Sequence, residues 1–101
     1  HKPMMTSDHA VLFTKEDCAP CTDTKAFLKE VLTDEPGLGM FISVLRKEHH
    51  SQLVATYKLE TYPTLLVVDE MGEELSRVIG GKKIREYLKD ILSGIRILNN
   101  V

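Results

Sequence analysis

The chain has no tryptophan, only 6% aromatic residues, four prolines and just two cysteines among 101 residues. Two cysteines exclude a secreted scaffold held by several disulfides, which spreads four or more of them through a small chain. The scarcity of aromatics and a formal net charge of -2 exclude the basic, stacking-rich surface that binds nucleic acid. No apolar run approaches the roughly 20 residues that cross a bilayer, so no membrane segment is expected. Repeats, low-complexity tracts and linkers are also missing. What remains is the composition of an ordinary globule, 43% hydrophobic and 28% charged. A chain of this length builds one core, so residues 1–101 are read as a single domain. It begins at His1, and "HKPMMTSD" (1–8) reads as a tag remnant or flexible N-terminus before a native start at Met4 or Met5. That stretch has neither the length nor the apolar centre of a signal peptide. A lone, close cysteine pair fits a reducing compartment, which makes the cytoplasm the expected location. We expect a monomer.

The order of elements is more informative. "HAVLFT" (9–14) is a nearly continuous apolar run, the mark of a buried strand, and it leads straight to the cysteines. From Pro20 to about Leu32, residues Cys21, Ala26, Phe27, Leu28, Val31 and Leu32 cluster at helical spacing, and "DEPGLG" then breaks the helix. "MFISVL" (40–45) reads as a second buried strand, parallel to the first through a right-handed crossover. "HSQLVATYK" suits a short helix with Leu53, Val54 and Tyr57 inward. "TLLVV" (64–68) and "ELSRVI" (74–79) are close enough to form an antiparallel hairpin. After Gly80 and Gly81, the residues Ile84, Leu88, Ile91, Leu92 and Ile95 mark an amphipathic closing helix, whose continuation from Arg96 to Val101 the pattern leaves open. The expected fold is α/β, in the order β-α-β-α-β-β-α: a four-stranded mixed sheet with three helices on its two faces.

Three readings compete for "KEDCAPCTDT" (15–24). As a structural staple, the pair closes a loop of four residues. That is worth only about 2 kcal/mol, against about 3 kcal/mol for a fifteen-residue loop. As a metal site it supplies two of four ligands, and the candidates His1, His9, His49 and His50 lack the spacing of a second ligand pair. No metal is expected. "HH" reads more simply as solvated surface.

The redox reading fits the local physics best. Cys18 follows a strand and opens a helix, where unpaired N–H groups and the helix dipole stabilise a thiolate. Cys21 lies one turn further in, on the same side and more buried. Pro20 fits the first helical turn and stiffens it, with Ala19 beside it. Exposed Cys18 would attack a substrate disulfide and Cys21 would resolve the mixed disulfide. If the Cys18 pKa fell from about 8.5 to about 7, the thiolate fraction would rise roughly fifteenfold, while lost nucleophilicity would cancel about fivefold of it. The larger gain is a better leaving group when Cys21 attacks.

From about His9 to Leu92 the chain resembles the thioredoxin and glutaredoxin superfamily. The resemblance rests on "CAPC", on "TYPT" (61–64) with Pro63 directly before a strand, and on Gly80–Gly81 between the last strand and helix. It implies a thioredoxin-like fold and a cis-proline at Pro63 facing the cysteines. It also implies that Tyr62 pairs its backbone with substrate, and that Gly80 and Gly81 let a partner's backbone approach. "FTKEDC", with Lys15 three residues before Cys18, "TYP" and "IGG" look like a glutaredoxin; "APC" and "YPTLLVVDEMGEEL" look like a thioredoxin. Asp17 replaces the thioredoxin tryptophan, and Leu12 stands where thioredoxins bury the aspartate that deprotonates the resolving cysteine. Lys82 and Lys83 stand where glutaredoxins carry the acid that grips glutathione. Glu16, Asp17 and Asp23, opposed by Lys15 and Lys25, oppose a thiolate unless solvent screens them. Lys82, Lys83, Arg85 and Lys89 read as the outer face of the last helix.

The expectation is a thiol-disulfide oxidoreductase without cofactor that reduces protein disulfides, such as those of ribonucleotide reductase, and is recharged by thioredoxin reductase. The alternatives are a glutathione-recharged glutaredoxin and, from another class, a non-catalytic binding module of the same fold.

Overall fold

The structure, a computed structural model, describes residues 7–99. The expected start at Met4 or Met5 lies outside the described residues. Strand β1 (His9–Thr14) runs into helix α1 (Ala19–Asp34). A 3₁₀ turn (Pro36–Phe41) leads to β2 (Ile42–Arg46), and a second (Lys47–His49) leads to α2 (Ser51–Thr56). The hairpin of β3 (Thr64–Val68) and β4 (Glu74–Ile79) follows, and α3 (Gly81–Asn99) completes the described chain. The sheet order is β2-β1-β3-β4: β1 is parallel to β2 and antiparallel to β3, and β3 is antiparallel to β4. The mixed sheet and the order of strands and α-helices are those the sequence predicts.

Alternation along β1 divides the core in two. Ala10 and Leu12 face one side with Leu65 and Val67 of β3, under Leu28 and Val31 of α1 and Ile84, Leu88, Leu92 and Ile95 of α3. Val11 and Phe13 face the other side with Leu66 and Val68, covered by Leu53, Val54 and Tyr57 of the shorter α2 segment. The exposed rim of α1 and α3 is tied by Glu35, which pairs with Arg96 at 3.2 Å and Lys89 at 3.4 Å.

Two details differ from the sequence reading, and a third concerns a stretch it left open. β2 begins at Ile42, because Pro36–Phe41 coils into a 3₁₀ turn that buries Leu38 and Phe41 and leaves Met40 out. Helix α1 runs two residues beyond Leu32 and buries Thr24, while Ala26 is exposed. The closing helix continues through Asn99.

Candidate active site

Cys18 is the N-cap of α1, with an extended backbone (φ -131°, ψ 100°). Its carbonyl accepts the N–H of Thr22 at 3.0 Å, and its Sγ accepts the N–H of Cys21 at 3.2 Å. The two cysteines form a disulfide, their Cα atoms 5.2 Å apart. Ala19 and Pro20 occupy the first turn and are exposed, so proline's missing N–H costs the helix nothing. Cys18 is only 9% exposed and Cys21 1%. The sequence reading made Cys18 exposed; the capping geometry instead folds its sulfur back over the first turn.

The loop before β3 closes over this sulfur. The Tyr62–Pro63 peptide is cis, Pro63 is buried, and the Tyr62 carbonyl oxygen lies 4.0 Å from Cys18 Sγ. A disulfide sulfur has no proton to donate, so this is a contact and not a hydrogen bond. The loop is anchored from the far side, since the Gly80 N–H donates to the Pro63 carbonyl at 3.0 Å.

The two glycines have different surroundings. Gly80 has φ +96° and open space where a Cβ would stand. Gly81 is buried: a Cβ there would meet Thr24 Oγ1 and an Arg85 guanidinium nitrogen at 3.0 Å and the Pro20 carbonyl at 3.3 Å. The resemblance gives both glycines to an approaching partner; at Gly81 the cysteine helix itself takes that space. Thr24 Oγ1 also donates to the Pro20 carbonyl at 2.7 Å within α1, so Gly81 of α3 packs against a hydrogen-bonded pair in the cysteine turn.

Lys15 is exposed and makes no hydrogen bond or ion pair among the described residues. Lys82 and Lys83 are likewise exposed and unpaired at the start of α3. Leu12 is fully buried in the core. Two residues on, and on the same side of the strand, Thr14 is fully buried and its hydroxyl has no partner among the described residues. Of the candidate histidines, His1 lies outside the described residues, His9 Nε2 lies 2.9 Å from Ser43 Oγ, and His50 Nδ1 lies 3.1 Å from the Arg46 carbonyl. His50 is therefore half-buried rather than free surface. Among the described residues no group of three or more His, Cys, Asp or Glu is placed to hold a metal ion, and no helix is long and apolar enough to cross a membrane.

Sequence reasoning missed the corner between β2 and α2. Glu48 Oε2 accepts the Glu16 N–H at 3.0 Å, Arg46 pairs with the Glu16 carboxylate, and Lys47 Nζ lies 5.4 Å from the centre of the Tyr62 ring. The Glu16 N–H, followed by the nearby cations, holds the Glu48 carboxyl below the usual carboxylate range. Burial, and then the Glu48 charge, pushes the Tyr62 phenol up. One signal was available: parallel pairing sets Thr14 beside Arg46, which brings this corner to the loop after β1.

No protein-family model matches the chain, and no curated protein matches it. Solved structures do. The germline-specific thioredoxin Deadhead of Drosophila melanogaster superposes with a TM-score of 0.68 at 17% identity, over 87% of this chain and 80% of that one. The thioredoxin of Malassezia sympodialis gives a TM-score of 0.69 at 16% identity, over 89% of this chain and 76% of that one. The thioredoxin of Trypanosoma brucei brucei gives 0.62 at 20% identity, over 89% and 77%. At these identities the likeness is one of architecture, and the architecture of this chain is the thioredoxin fold.

Proposed function

We propose that the chain is a thiol-disulfide oxidoreductase that reduces protein disulfides through Cys18 and Cys21. The observation that carries this reading is the Cys18–Cys21 disulfide at the start of α1, with Cys18 Sγ 4.0 Å from the Tyr62 carbonyl. In the reduced protein the Cys18 thiolate attacks one sulfur of a substrate disulfide. A Cys18–substrate bond forms as the substrate bond breaks, and the first substrate thiolate leaves. Deprotonated Cys21 then attacks Cys18 Sγ and the second substrate thiolate leaves; the two electrons reside in the two substrate thiolates, and the protein is left oxidised as the Cys18–Cys21 disulfide. The Cys21 N–H and the start of α1 favour negative charge on Cys18 both as nucleophile and as leaving group. By the sequence resemblance the Tyr62 backbone pairs with substrate; the 4.0 Å contact of its carbonyl with Cys18 Sγ and the open space at Gly80 support that role.

In this reading the electron donor is a thioredoxin reductase, the location is the cytoplasm, and ribonucleotide reductase is one candidate substrate by resemblance of sequence. Exposed, unpaired Lys82 and Lys83 beside the site support that donor over glutathione, whose amino group would meet like charge there. NADPH oxidation decides between the donors. Turnover with thioredoxin reductase is expected, and turnover only with glutathione and glutathione reductase would transfer the chain to the glutaredoxins. Cys21→Ser is expected to leave Cys18 trapped as a mixed disulfide with substrate, visible as a mass adduct that dithiothreitol removes. Absence of that adduct would favour a binding module without redox chemistry.

A further inference from the structure

Three consecutive residues at the end of β2 touch both halves of the site. Glu48 takes the Glu16 N–H at 3.0 Å; Arg46 pairs with the Glu16 carboxylate and lies 3.7 Å from the other Glu48 oxygen; Lys47 stands over the Tyr62 ring. The pinned N–H is two residues before Cys18. Between them Asp17 has φ +51°, a conformation unusual for a residue with a side chain. Fixing Glu16 therefore fixes how the chain enters the N-cap that places the Cys18 sulfur.

Charge adds a second effect. Glu16 and Glu48 place two carboxylates at the loop before a sulfur that must become an anion, and exposed Asp17 and Asp23 add to them, against Lys15, Lys25 and Lys47 and, from the start of α3, Lys82, Lys83 and Arg85. Arg46 is the cation paired with both glutamates. Side chains this exposed contribute little to global stability, so the consequence of their pairing falls on the local field.

We propose that Arg46 and Glu48 are positioning residues for Cys18. Glu48 holds the main chain of the loop before the nucleophile, and Arg46 offsets the acidic charge there, so that the thiolate forms at lower pH. This inference rests on the oxidoreductase reading. With Arg46 removed, an uncompensated carboxylate at roughly 8 Å in largely aqueous surroundings raises the midpoint of the Cys18 titration by about 0.4 pH unit at low ionic strength, and by less as salt is added. That is about twofold less thiolate at neutral pH.

The test is the rate of iodoacetamide alkylation of the reduced, full chain as a function of pH. At low ionic strength Arg46→Ala is expected to be alkylated about twofold more slowly near pH 7 and no more slowly than wild type at high pH, where the thiol is fully ionised. Glu16→Gln added to Arg46→Ala is expected to bring the midpoint back, and Arg46→Lys to retain it. A superimposable Arg46→Ala curve, a deficit that persists at high pH, or no recovery in the double variant would overturn the charge role. For Glu48, the Gln variant keeps an acceptor oxygen for the Glu16 N–H and the Ala variant does not. Slower alkylation on the high-pH plateau in Glu48→Ala, restored in Glu48→Gln, is expected, and equal plateaus in the two would overturn the positioning role. Failure of the oxidoreductase reading is seen separately, as wild-type protein that does not turn over a disulfide substrate while its thiol titrates normally.

Discussion

Gly81 separates space from flexibility as the reason for a glycine. Its backbone has no positive φ, but a Cβ would press on Thr24 Oγ1, on Arg85 and on the Pro20 carbonyl at 3.0–3.3 Å. Arg85 can swing away; the Pro20 carbonyl belongs to the cysteine turn and cannot do so without moving it. Gly81→Ala is therefore expected to cost about 1–3 kcal/mol in denaturant unfolding, the range for overpacking a tight site, and to slow disulfide reduction by displacing that turn. Gly80→Ala acts differently: the space is open but φ is +96°, so strain of about 1 kcal/mol is expected with no contact to relieve it. Retained stability in Gly81→Ala would mean that α3 can withdraw from α1 without loss. The places of Cys18, Cys21 and Pro63 were legible in the sequence because their chemistry is local, thiols and a fixed ring, whereas the reason for Gly81 was not, since the space it leaves is taken by the cysteine helix. Arg46 and Glu48 were not, because nothing within "RKEHH" says which loop it meets. That contact is made by the register of β1 on β2, across 32 residues in the case of Glu48 and Glu16.

Helix α3 was read from its spacing alone, since Ile84, Leu88, Leu92 and Ile95 form one stripe, and all four are buried against α1 and the sheet. Leu88 is completely buried at the middle of that stripe. Leu88→Ala is expected to destabilise the chain by about 2–5 kcal/mol, the range for an unfilled core cavity. Denaturant unfolding measures it, and a loss under about 1 kcal/mol would mean that the α1–α3 interface carries less of the core than its burial indicates. The turn before β2 was read less well. "MFISVL" looks like one strand, but Leu38 and Phe41, three residues apart, would point to opposite faces of a strand and share a face in the 3₁₀ turn, where three residues complete a revolution. Met40 between them is 74% exposed. An apolar run does not reveal which of its members turn outward. That depends on where Pro36 starts the turn.

Across the whole molecule the perturbed carboxyls and His9 are all held below their ordinary values. His9 is held below its ordinary value near 6.5 by burial, so the fold prefers its neutral form and the unfolded chain takes up the proton first. Its contribution is fully present above that value and is lost as pH falls through the lower folded one. The carboxyls of Glu48, bonded by the Glu16 N–H, and Glu74, bonded by Arg77, lie below their ordinary value, and their contributions are lost at still lower pH. Stability to denaturant is therefore expected to fall between about pH 7.5 and pH 5.5, and His9→Gln to flatten that part of the curve. A stability that rises on acidification would contradict these environments. The fold as a whole was legible because strand, cysteine turn, helix and hairpin follow one another with little intervening chain. The degree of burial of the sulfur was not, since it follows from the Cys18 cap and the Tyr62–Pro63 loop meeting in space. The central claim concerns that sulfur, and reduction of a protein disulfide such as insulin's, with dithiothreitol as donor, tests it most directly. The account predicts that the wild-type chain accelerates the reaction catalytically and that Cys18→Ser falls to the uncatalysed rate while keeping its fold. A Cys18→Ser chain as active as the wild type, or a wild-type chain no faster than dithiothreitol alone, would contradict it.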